Sequence, residues 1–129
     1  MKKLIFCVLF TCFVTVIFGQ DLKKVRSYLD AKQLDKAKAE VDAYVAKSPS
    51  DAEGYYMKAK IYEQIARSDS GQSKAQEASD ARQQAFDAFV KAMADTTNPK
   101  ITLLALKDQY APIFNLYTGY YEAGAAAFS

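Results

Sequence analysis

Apolar residues recur at intervals of three and four along this chain from position 22 onward, beginning with Leu22, Val25, Tyr28 and Leu29. Such spacing predicts an amphipathic helix. Gln33-Leu34 reads as a short turn, and Asp35 is placed to cap a second helix through its carboxylate. Ala37, Val41, Tyr44 and Val45 carry the apolar face on to about Lys47. Pro49 ends that helix, because its ring clashes with the preceding turn and it has no amide proton. Ser50-Asp51-Ala52-Glu53 has the form of a capping box, opening a third helix with Tyr55, Ala59, Tyr62 and Ile65 on one side. Val, Ile and Thr never alternate with polar residues, so strands find no support. The expected fold class is all-α.

After Ile65 the pattern lapses into RSDSGQSKAQEASD, polar and without an apolar stripe. This reads as an inserted loop over Ser68–Ser73 and then a long helix from about Lys74 to Asp95. The loop is a solvated extension on one reading and a binding loop on another. Ala85, Phe89 and Ala92 form the apolar face of the long helix, and Thr96-Thr97-Asn98-Pro99 breaks it. ITLLALKDQ predicts a short apolar helix. Tyr110-Ala111-Pro112 resets the chain, with Pro112 suited to a first turn. Ile113, Leu116, Tyr117, Tyr120 and Gly124 then run down one side of a last helix.

Tyr28 and Tyr62 lie 34 residues apart, as do Val25 and Ala59, and Lys24 and Lys58. That interval belongs to helix–turn–helix repeats, which cannot bury an apolar face alone and stack on neighbours. Tyr55, Ala59 and Tyr62 in one helix, with Ala37, Val41, Tyr44 and Pro49 in the other, resemble the tetratricopeptide repeat family. Small residues at the crossing let helix axes approach to about 8–10 Å. The resemblance implies antiparallel helical hairpins stacked as a short solenoid over 20–129. Repeats would cover about 20–49, 50–99 with the insertion, and a partial third from 112 to 129. It also implies a protein-binding scaffold whose first helices line a concave face. Mapped onto this chain, the groove side is Arg26, Asp30, Tyr56, Lys60, Glu63 and Gln64, with Tyr121 and Ala125 from the partial unit. Tyr55-Tyr56 and Tyr120-Tyr121 would each send one ring into the core and one toward the groove. The alternative is that Tyr56 and Tyr121 merely pack between hairpins. The carboxylate clamp of some family members does not carry over, since its positions hold Leu22 with Arg26 and Tyr56 with Lys60.

The first residues change the bookkeeping. Lys2 and Lys3 precede an uncharged, overwhelmingly apolar run, Leu4 to Phe18, too short for a comfortable span of about 20 residues. Residues 1–19 therefore read as a signal peptide cut after Gly19, with a retained anchor as the alternative. Phe10 and Thr11 are poor lipobox residues before Cys12. Such a leader resembles those of exported proteins in Gram-negative bacteria such as Bacteroidetes, which points to the periplasm, or to secretion. Cleavage would remove Cys7 and Cys12, the chain's two cysteines, and two of its seventeen basic residues. Fifteen charges of each sign would remain, so nothing electrostatic argues for nucleic acid or anionic lipid.

The candidate chemistry is sparse. The chain has no histidine, and no cysteine after the leader, which removes the commonest bases, thiol nucleophiles and zinc ligands. No glycine-rich phosphate loop occurs. Asp51, Glu53 and Asp80 read as unpaired carboxylates on solvated faces. The expectation is a non-enzymatic module without cofactor or metal. Three functions stay open: an exported scaffold binding a peptide or helix of a protein partner, an N-terminal docking or dimerisation module of a larger envelope protein, and a small-molecule carrier with a Tyr-lined cavity between Tyr110 and Tyr121. The Ala-rich aromatic stretch YYEAGAAAF, with no helix to cover it, predicts a longer repeat protein or self-association through the C-terminal helix.

Overall fold

A computed structural model of the chain describes residues 21–68, 75–94 and 97–128. The expected leader, and all of the expected insertion after Ser68, lie outside the described residues. Six helices follow in order: α1 (Asp21–Asp30), α2 (Leu34–Lys47), α3 (Ala52–Ser68), α4 (Ala75–Met93), α5 (Pro99–Lys107) and α6 (Ala111–Ala127). No strand occurs among the described residues. The fold is all-α.

Local chemistry sets the boundaries, with some departures from expectation. The first turn centres on Lys32, whose φ of 55° is left-handed. There the Gln33 amide donates to the Tyr28 carbonyl at 2.9 Å and the Lys32 amide to Leu29 at 3.0 Å, closing α1 in a Schellman-type turn. Asp35 does not cap α2. Gln33 holds the N-cap position without a side-chain bond, and Asp35 sits in the first turn, where its charge suits the helix dipole. Nor does Ser50 cap α3: the Asp51 carboxylate accepts the Glu53 amide at 3.1 Å instead. Asn98 caps α5 by accepting the Lys100 amide at 3.1 Å, with Pro99 at the first position. Gln109 and Tyr110 are both left-handed, which turns the chain sharply into α6.

The core is organised around α3, which packs against α1, α2, α4, α5 and α6. On one side Met57 and Ile61 join Val25, Leu29, Ala37 and Val41. On the other, Tyr56, Ala59, Tyr62 and Ala66 meet the buried face of α4 together with Ile101, Ala105 and Leu116. The expected single stripe on α3 is therefore too narrow; a helix buried on most sides needs apolar residues on most sides.

The α3–α4 pair is the most extensively packed in the fold. Its seam on α4 is Ala78, Ala81, Ala85, Ala88 and Ala92, all buried, alternating at three and four residues. The seam begins with Ala78, inside the stretch read as polar and without a stripe, and its other members follow that stretch. Gly54 serves the same need where α3 meets α2. A Cβ there would fall 2.6 Å from the Tyr44 ring.

Residues related by the 34-residue interval share local settings. Val25 and Ala59 are both fully buried. Lys24 lies 5.8 Å from the ring centroid of Tyr28, and Lys58 lies 5.1 Å from that of Tyr62. Burial differs, because Tyr62 lies within the α2–α3–α4 packing and Tyr28 is only half-buried. The Tyr62 hydroxyl donates to Asp42 at 2.6 Å.

Candidate functional site

The residues expected to line a concave groove mostly form internal struts. Tyr56 is buried, and its hydroxyl donates to the Asp108 carboxylate at 2.9 Å. Lys60 reaches the same carboxylate oxygen at 2.8 Å, so two α3 side chains grip the residue that ends α5. Arg26 pairs with Glu53, which also receives Lys100, and this buried carboxylate links α1, α3 and α5. Glu53 is therefore not the solvated, unpaired acid the sequence suggested. Glu63 is buried too, 3.0 Å from Arg67 and within the influence of Asn115 on α6. Asp30 is exposed and Gln64 half-buried. Tyr121 and Ala125 face solvent on α6. Tyr56, Lys60 and Glu63 of α3 thus face the end of α5 and α6, which pack against them.

The tyrosine pairs resolve differently from expectation at one site. In Tyr55-Tyr56 the second ring is the inner one, stacked edge-on against Phe89 with centroids 5.7 Å apart. Tyr55 is half-buried beneath Lys91, 5.1 Å away. In Tyr120-Tyr121 the first ring turns toward α4, where its hydroxyl donates to Gln83 at 3.3 Å, and the second points outward.

Two carboxylates carry shifted affinities for protons, with opposite signs. Burial raises the Asp42 pKa, but the hydrogen bonds from Lys58 and Tyr62 and the charges of Lys58 and Lys38 outweigh it, and the net direction is downward. Burial pushes Glu63 up, against the opposing pull of Arg67, Asn115 and Lys60. A lowered folded pKa gives stability that is present above the ordinary value of 3.8 and lost as pH falls through the folded value. Asp42→Asn should therefore lower the melting temperature at pH 7 and flatten its decline below pH 3.8. For Glu63 the sign reverses: the folded state holds the proton more tightly, so stability falls as pH rises past 4.5. Glu63→Gln should remove that fall. Thermal melts from pH 2.5 to 7 read both effects.

The surface with the character of a docking site lies elsewhere. Between α4 and α6 runs a groove of about 420 Å³, lined by Phe86, Phe89, Val90, Met93, Ile113, Leu116, Tyr117 and Tyr120. Its wall is almost wholly apolar. The large hydrophobic residues exposed among the described residues all belong to α4, α5, α6 and their flanking turns, none to α1, α2 or α3. Helix α6 opens with neither acid nor base in its first turn and ends without a base in its last. The expected stripe on α6 is only partly buried: Leu116 is covered, whereas Tyr117 and Tyr120 are exposed. Gly124 meets nothing, and the glycine at a helix crossing is Gly119, where a Cβ would sit 3.0 Å from the Arg82 guanidinium.

The groove is suited to burying apolar side chains. It offers no set of acids or bases arranged for bond chemistry. Among the described residues no group of three or more metal-binding side chains converges, and no helix is long and apolar enough to cross a membrane. The sequence placed Ile113, Leu116, Tyr117 and Tyr120 on one side of the last helix, but Phe86, Val90 and Met93 were overlooked. The spacing of those three, four and then three residues apart was the available signal. Comparisons of the chain with family models, with curated proteins and with solved structures yield no match.

Proposed function

We propose that this protein is a non-catalytic interaction scaffold, built from tetratricopeptide-like hairpins in a short solenoid and exported after loss of its leader to the periplasm. It binds an apolar helix along the groove between α4 and α6. The observation carrying this reading is the concentration of exposed aromatic and aliphatic side chains on one face, around a groove almost free of polar atoms. Contiguous apolar patches beyond a few hundred Å² mark interaction sites on soluble proteins. Helix-in-groove recognition uses anchors at such spacings. The concave-face reading receives less support, because Tyr56, Lys60, Glu63 and Arg26 are engaged within the chain.

A labelled amphipathic Leu/Lys helix of about 18 residues supplies a test by fluorescence anisotropy. Binding should saturate, and Phe86→Arg should weaken it at least tenfold, while Asp30→Ala and Gln64→Ala leave it unchanged. Binding that tracks Asp30 and Gln64 and ignores Phe86 would return the site to the concave face.

A further inference from the structure

The docking reading leaves open which helix fills the groove, and the inference here rests on that reading. We infer that the occupant is α6 of a second copy of this chain, giving a two-fold symmetric dimer. The first argument is shape. Ile113, Leu116, Tyr117 and Tyr120 form the groove side of α6. Phe114, Tyr117 and Tyr121 stand on the adjoining face, roughly a quarter-turn round the same helix at 100° per residue. All three of these rings are exposed. A ridge and a groove thus lie side by side in one patch, with Tyr117 shared between them. An isologous interface requires this: whatever one copy inserts, it must also receive.

The second argument is area. Phe86, Val90, Met93, Phe114, Tyr117, Tyr120 and Tyr121 are between 40 and 71 % exposed. With about 200 Å² for a whole aromatic side chain, these seven leave roughly 700 Å² of apolar surface. A stable interface of standard size takes about 800 Å² from each partner. The patch is therefore near the size of a full dimer contact and larger than a typical monomer tolerates.

The third argument is charge. Glu122 is the only ionisable carboxylate on α6, and the helix carries no Lys or Arg. A partner chosen by charge would meet no complementary array here. The seven patch residues are themselves uncharged, so a second copy adds no like charge within the patch. The neighbouring charges are occupied at the rim, with Lys91 over the Tyr55 ring and Asp87 accepting from Gln83.

Sedimentation equilibrium of the protein expressed from the full 129-residue chain tests this, with intact mass defining the processed form. Twice the chain mass at about 50 μM is expected. Tyr117→Arg should shift the dimer–monomer equilibrium at least a hundredfold toward monomer with an unchanged circular dichroism spectrum. If that variant loses helix, Phe114→Arg on the same ridge takes its place. Lys23→Glu on the distant α1 should leave the dimer intact. A monomer that still binds the Leu/Lys helix would overturn the second copy and spare the docking face. A monomer that binds no helix would overturn both. An open-ended polymer, or a dimer indifferent to Tyr117 and Phe114, would also overturn the inference.

Discussion

Tyr56→Ala is expected to destabilise the fold by about 3–5 kcal/mol, the cost of removing a fully buried aromatic side chain. The loss has three parts, all visible around the ring. The cavity would open between α3 and α4, where the ring meets Phe89 edge-on. The Asp108 carboxylate would lose its phenol donor and keep only Lys60. The link from α3 to the end of α5 would loosen, and with it the approach to α6. A domain of this size is held by about 5–15 kcal/mol, so the variant should be largely unfolded at moderate urea. Tyr56→Phe should cost far less, about 1 kcal/mol for the hydrogen bond. Urea titrations followed at 222 nm separate the two. If Tyr56 were instead a ligand-facing surface residue, the alanine variant would fold as well as wild type.

Leucine in place of Ala85 is the second large effect. Ala85 is fully buried midway along the alanine seam of α4, in the same core cluster as Ala59, Tyr56 and Tyr62 of α3. Added methylenes in a packed core cost about 1–3 kcal/mol, because neighbours must leave their rotamers or helix axes must separate. Here separation would propagate, since Ala81 and Ala88 hold the same spacing one turn either way. Ala81→Leu with Ala85→Leu should cost more than either alone, with a lowered denaturant midpoint. Ser79→Ala, on the exposed side of the same helix, should leave the midpoint within about 0.5 kcal/mol of wild type. Equal tolerance at Ala85 and Ser79 would mean that α3 and α4 do not meet along this line.

The helices themselves were largely legible. Spacings of three and four residues located α1, α2 and α3, and Pro49, Pro99 and Pro112 marked boundaries to within a few residues. Proline gives so clear a signal because it acts through its own backbone. Caps were less legible: Asp35 and Ser50 had the right chemistry, but Asp51 competed for one role and no side chain took the other. A cap depends on which residue the turn leaves in extended geometry, and the sequence alone does not state that.

Ala85 and Ala92 were legible as an apolar face, but the rest of the alanine seam was missed because alanine is neither bulky enough to look apolar nor rare enough to stand out. Ala78 and Ala81 sit among Gln, Glu, Ser and Asp, and their burial follows from the closeness of α3. The internal engagement of Arg26, Lys60 and Glu63 was illegible for a related reason. A repeat resemblance places Arg26, Lys60 and Glu63 on a face. It says nothing of α5, whose Lys100 joins the Arg26–Glu53 pair and whose closing residue Asp108 takes Lys60, nor of Arg67, which pairs with Glu63 one turn along α3. Tyr55 and Tyr56 differ by only one residue in register, yet tertiary packing chose the second. The docking face joins α4 to α6: the stripe on each helix was legible by its spacing, and the uncovered C-terminal helix was expected, but no local pattern shows that the two stripes meet.

Amide hydrogen exchange across a dilution series offers the most direct measurement of the central claim, that the α4–α6 face is the surface this protein uses. Amides of α6, together with Phe86–Met93 of α4, should exchange slowly at high concentration and faster on dilution, while α1, α2 and α3 stay constant. Concentration-dependent protection confined to Arg26, Asp30 and Gln64 on α1 and α3, with α6 unchanged, would contradict it.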